Sequence, residues 1–159
     1  MQDATMDAPS RNTVEDVFRE HGERLCRSLL LYTGDKEVAG DAVAEAFAQA
    51  LRRGDDIRSP LAWITQAAFK IATAELGYRR RGANELGDLP REMPEPAFDM
   101  IRALAQLSAK QRAATVLHLY EGYTLAETAK LIGSTTSAVG VHLNRATTRL
   151  RKILGDDDG

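Results

Sequence analysis

Between Thr124 and Ile153 the chain reads TLAETAKLIGSTTSAVGVHLNRATTRLRKI, and no other stretch constrains the fold as tightly. Thr124 is followed three residues later by Glu127, the spacing of a capping box that starts a helix. Gly133 then supplies a tight turn, and Thr135 or Thr136 caps the helix that follows. Ala129, four residues before Gly133, is small enough to let two helices cross closely. After the turn, Val139, Leu143, Ala146 and Leu150 recur at steps of four, three and four, the stripe that packs a helix on its neighbour. A short helix, a tight turn and a longer helix with a basic end make a helix-turn-helix, which presents its second helix to the DNA major groove. An ordinary helical hairpin has the same local signals, so the choice rests on the rest of the chain.

The 159 residues carry a formal net charge of −2, which looks wrong for a nucleic-acid binder until it is divided by region. Residues 1–81 hold 12 basic and 13 acidic side chains, and residues 82–98 hold one basic and four acidic. Residues 99–155 hold eight basic against three acidic, and Asp156, Asp157 and Asp158 follow before the final Gly159. The positive charge therefore belongs to the helix-turn-helix segment, as phosphate contact requires.

No stretch alternates with a period of two over a strand's length, while helix starts and stops recur, so the fold is read as all-α. Asn12 or Thr13 caps a helix to about Tyr32, with Gly34 just past its end. Asp35 caps the next, to about Arg53, which stops at Gly54. Ser59 and Pro60 start a third, because proline at the first helical position has no needed N–H to lose. Its apolar face is expected to hold Trp63, Ala67, Ile71, Ala74 and Tyr78, and it ends in Arg79, Arg80 and Arg81. Residues 82–98 contain three prolines, two glycines and four acids without periodicity, and read as a flexible acidic linker. Beyond it, Pro96 or Ala97 begins a helix to about Gln106. Ser108 and Gln111 form a capping box for one ending near Glu121, before Gly122. The expected organisation is two small helical lobes, residues 1–81 and 99–155, with the helix-turn-helix at the end of the second and an acidic tail at 156–159.

Several classes are excluded. No apolar run approaches the length of a membrane span, and MQDATMDAPSRN lacks the regions of a signal peptide, so a cytoplasmic chain is expected. One cysteine, Cys26, cannot form an intrachain disulfide; it lies on an apolar helical face and is expected in the core. No Cys/His grouping has metal-site spacing, no phosphate-cradling loop or nucleophile elbow is present, and neither a cofactor nor catalysis is expected.

Two helical lobes, a linker and a C-terminal helix-turn-helix resemble bacterial RNA polymerase sigma factors of the sigma-70 family, in particular the small extracytoplasmic-function (ECF) group. Asp41-Ala-Val-Ala-Glu45-Ala-Phe47 resembles the family's D-x-V-Q-E-x-F segment, which docks on the largest subunit of core polymerase. Asp41 and Glu45, four apart, share one helical face, while Val43 and Phe47 fall on another and can anchor the helix. Pro60-Leu-Ala-Trp63-Ile resembles the start of the promoter-melting helix. The resemblance implies that this helix and the loop 54–59 meet the −10 element, with Arg58, Lys70 and Arg79 to Arg81 as DNA-facing cations. Lys70 stands where the family usually has asparagine. Trp63 could stack on a base, but its place on the apolar stripe assigns it to packing. Leu107-Ser-Ala-Lys-Gln-Arg112 and Glu121-Gly122-Tyr123-Thr124 resemble segments that open the second lobe and its motif.

In the recognition helix, Val139, Leu143, Ala146 and Arg145 keep the family pattern. Gly140, Val141, His142 and Thr147 replace residues that are often lysine, serine, arginine and arginine. Reading of the −35 element then falls to Thr136, Ser137, His142, Asn144, Arg145 and Arg149, with Asn144 able to pair with adenine. His142 could gain charge against a phosphate; His21 and His118 are structural or solvated. The implied partners are core RNA polymerase, promoter DNA and, by family habit, an anti-sigma factor. Two other readings stay open: a conventional helix-turn-helix regulator, and a sigma-like protein that binds polymerase without reading DNA.

Overall fold

The computed structural model describes residues 13–79 and 86–155, and every regular element among them is helical. Helix α1 spans Val14–Thr33, α2 Lys36–Arg53 and α3 Pro60–Arg79, with a single 3₁₀ turn at Gly54–Asp56. Then come α4 at Glu95–Leu104, α5 at Ala109–Ala114, a π-helical turn at Thr115–Tyr120, α6 at Leu125–Ile132 and α7 at Thr136–Ile153.

The starts are written in short side chains. Thr13 accepts from the Asp16 N–H at 3.1 Å while the Asp16 carboxylate accepts from the Thr13 N–H at 3.3 Å, a reciprocal capping box. Asp35 accepts from the N–H groups of Glu37 and Val38 and so starts α2. Ser108 with Gln111, and Thr124 with Glu127, form the two boxes expected from the sequence. Gly34 and Gly133 both sit at φ 66°, where a side chain would strain the backbone, and end α1 and α6.

Helices α1 to α3 pack on one another through Val17, Leu25, Leu29 and Tyr32 of α1, Val43, Ala46, Phe47 and Ala50 of α2, and Ile64, Ala68, Phe69 and Ala72 of α3. Burying each of the larger side chains contributes roughly 1.5–3 kcal/mol. The buried stripe of α3 is displaced by one residue from the expected one: Trp63, Ala67 and Ile71 lie half-buried at its edge, and Ala74 is exposed. The α3 sequence is apolar on nearly all sides, so its period alone selects no face. Close approach to the alanines of α2 favours the stripe carrying Ala68 and Ala72. The Tyr78 side chain lies outside the description.

Cys26 is exposed, not in the core. Leu25 and Leu29 carry the buried line of α1, and Cys26, one residue on, is turned outward.

The second group of helices is not held apart from the first. Leu104, Leu107, Ala113, Val116, Leu117 and Leu131 join the same continuous core as α1 to α3. Part of the linker is tied down as well: Lys36 N–H donates to Asp88 O at 2.7 Å, Gly87 N–H to Gly34 O at 3.0 Å, and a Leu86 methyl lies against Gly34. The expected flexible linker is thus anchored to the α1–α2 turn through residues 86–88.

Candidate nucleic-acid and polymerase interfaces

Helices α6 and α7 meet as a helix-turn-helix. Ala129 of α6 and Val139 of α7 bury against Ala114, with Leu125, Ile132 and Leu143 packed around them. Ala146 is also buried and Leu150 half-buried, so the stripe read from the sequence is the packed one. With that stripe inward, the opposite face of α7 is fixed by geometry. Ser137, Val141, Asn144, Arg145 and Thr148 lie on it at helical spacing, and all five are exposed. Asn144, Arg145, Thr148, Arg149 and Lys152 line one shallow, open surface with Ile153. Of the residues expected to read −35, Ser137, Asn144 and Arg145 share this face. Arg149 borders it, Thr136 is exposed at the helix start, and His142 is turned aside and half-buried. Val141 was not among them; an exposed valine gives no sequence signal until the buried side of its helix is known.

The α2 surface has the character expected of a partner site. Asp41 and Glu45 are exposed while Val43 and Phe47 are buried beneath them. Both carboxylates line a groove of about 550 Å³ between α2 and α3, shared with Val38, Ile71 and Glu75. Glu45 accepts from the Gln49 amide at 3.0 Å and from Arg52 at 3.2 Å, which hold its carboxyl below the usual range. The groove gains a third acid, Glu75.

The residues expected at −10 are dispersed. Arg58 is exposed beside Ile57, Ser59 and Trp63 in a hollow closed on its other side by Tyr123, Glu127 and Lys130. Arg53 lies over the Trp63 ring at 5.5 Å, so the half-buried indole already carries a cation on one face. Lys70 is exposed on a different cleft, with Tyr32, Phe69, Lys110 and Ile132. Arg79 ends α3 with its side chain outside the description, and Arg80 and Arg81 lie outside the described residues.

Between the lobes sits a polar seam that the sequence did not announce. Arg24 donates from Nε to the Glu121 carboxylate at 2.9 Å and from Nη2 to Tyr120 O at 2.6 Å, and its guanidinium lies 4.6 Å from the Tyr120 ring centre. Ser28 donates its hydroxyl to the same Glu121. Arg112 reaches across to Tyr32 O at 2.9 Å and back to Leu107 O at 3.1 Å; burial lowers its pKa. Gln66 donates to Lys130 O at 3.3 Å. The π-helical turn delivers Glu121 to this seam, its N–H bonding Val116 O at 2.9 Å.

Among the described residues no group of His, Cys, Asp and Glu could hold a metal ion, and no helix is long and apolar enough to cross a membrane.

An all-helical chain with an outward-facing polar and cationic recognition helix belongs to the helix-turn-helix proteins that act on DNA. Residues 97–150 match the family described as sigma-70, region 4. The ECF RNA polymerase sigma factor SigM of Mycobacterium tuberculosis is 30% identical to it, over 93% of this chain and 80% of SigM. In fold it resembles the sigma factor RpoE solved with the anti-sigma factor NepR from Bartonella quintana, at TM-score 0.73 and 19% identity, covering 90% of this chain and 99% of that one. It also resembles CnrH solved with the cytosolic domain of CnrY, at TM-score 0.71 and 22% identity, over 91% and 88% of the two chains. The chain belongs to the ECF sigma factors of the sigma-70 family, and its function is to direct promoter recognition and transcription initiation.

Proposed function

We propose that residues 13–79 bind core polymerase through the Asp41/Glu45 face and meet the −10 element through the loop 54–59 and α3. In the same reading α7 contacts the −35 element. The chain works as a cytoplasmic, non-catalytic subunit, with the chemistry supplied by core. The observation that carries this is the division of α7 into a buried apolar stripe and an outward polar and cationic face. A conventional regulator would put a ligand pocket or dimer seam in the first lobe; the exposed acid pair over a buried anchor favours a basic partner surface instead.

The closed arrangement adds a step. Elements near −10 and −35 lie about 25 base pairs apart, or about 85 Å at about 3.4 Å per pair, whereas a closed chain of this length has a radius of gyration of about 15 Å. Both elements are reached only when the lobes part and the seam of Arg24, Ser28, Arg112 and Glu121 opens. The structurally similar sigma factor RpoE, solved with the anti-sigma factor NepR, is the ground for proposing an anti-sigma partner here, with the lobe arrangement as what it would control.

The test is a titration of core polymerase with the wild-type chain and with the D41A/E45A variant. Both side chains are exposed, so the fold should survive. The expected result is an affinity loss of about tenfold or more, as removal of interfacial charges produces. Equal affinity would remove the Asp41/Glu45 assignment.

A further inference from the structure

The outward face of α7 carries one apolar side chain that the fold does not use. Val141 is 47% exposed, on the side opposite the buried Val139 and Ala146. Its neighbours on the face are Ser137 one turn before, Asn144 and Arg145 one turn after, and Thr148 beyond. A β-branched residue in an exposed helix position slightly disfavours the helix. Here it joins neither core cluster in return.

The chemistry of the major groove offers a use. Among the groups that base pairs present there, the thymine C5-methyl is the apolar one, and small apolar side chains take it; the asparagine amide matches adenine N6 and N7. Residues three apart on a helix have Cβ atoms about 5–6 Å apart, and base pairs stack about 3.4 Å apart. Val141 and Asn144 can therefore address the same or adjacent base pairs. Both lie toward the N-terminal half of α7, the part of a recognition helix that meets base edges. Arg145, Arg149 and Lys152, toward the C-terminal half, suit phosphates.

Resting on the promoter reading above, we propose that Val141 is a specificity-determining residue that contacts a thymine methyl, beside an adenine read by Asn144. The −35 site of this chain then contains an A·T step beneath the middle of α7. A helix with few cations thus reads by methyl and amide contacts, where a guanidinium would otherwise select guanine.

The experiment uses the full chain bound to core polymerase, selecting from promoter fragments randomised in the upstream region. The expected outcome is an enriched upstream element with an A·T pair at a fixed position. Replacing that thymine by deoxyuridine removes only the methyl and should weaken wild-type binding about fourfold, the effect of losing one buried methyl-sized group. For V141A holoenzyme the same replacement should cost less than about twofold, since the partner of the methyl is already gone. Because Val141 belongs to neither core cluster, V141A should keep its thermal unfolding temperature, which is checked alongside. An enriched element without A·T pairs, or one in which uracil serves as well as thymine throughout, overturns the Val141 assignment and leaves the promoter reading standing. Absence of any enriched upstream element overturns both.

Discussion

Gly140 lies mid-helix in α7, and nothing stands within 4 Å of where its Cβ would be. Its cost is backbone entropy alone, so G140A should raise stability by about 0.5–1 kcal/mol and the midpoint of thermal unfolding by about 1–4 °C. Urea and thermal unfolding check this; a loss of stability would mean that the helix needs the glycine. At this scale the sequence was legible where a side chain's partner lies within a turn or two of it. Asp41 and Glu45 came out on one exposed face and Val43 and Phe47 beneath because a spacing of four is a property of the helix itself. Cys26, Val141 and the seam residues were not legible. Which edge of an apolar run is buried, and what Arg24 or Arg112 touches, depends on helices tens of residues away.

The helices are held at their starts by capping boxes whose removal has a definite cost. T124A removes the Thr124 oxygen that accepts from the Glu127 N–H at 3.0 Å and leaves that N–H unpaired at the head of α6. The expected destabilisation is about 1 kcal/mol, read by urea denaturation, and an unchanged midpoint would contradict the role assigned to this cap. Most helix starts were readable because caps are local chemistry: Thr13, Asp35, Pro60, Ser108, Thr124 and Thr135 all stand at the starts expected, whereas α4, which has no side-chain cap, runs Glu95–Leu104 and not from Pro96 or Ala97 to Gln106. Two further features of the elements were not readable. The α3 stripe was misplaced by one residue because its sequence is apolar nearly all round. The π-helical turn at Thr115–Tyr120 was read as plain α-helix, since one extra residue in a turn leaves no mark in the hydrophobic period.

For the whole molecule, the question is the balance between a closed chain and one open enough to span a promoter. Glu121 anchors the seam, its side chain 12% exposed and bonded to both Arg24 and Ser28. E121A leaves those two donors without their shared acceptor and should favour opening by about 1–3 kcal/mol. Small-angle scattering should then report a larger radius of gyration than for the wild-type chain, and core should bind the variant more tightly. Superimposable scattering curves would show that the seam does not hold the lobes together. The central claim, that this chain is the promoter-selecting subunit of a polymerase, is tested most directly by mapping transcript starts made by core polymerase on bacterial genomic DNA with and without the chain. Discrete, chain-dependent starts sharing upstream and −10 elements are the predicted result. Start sites identical to those of core alone would contradict it.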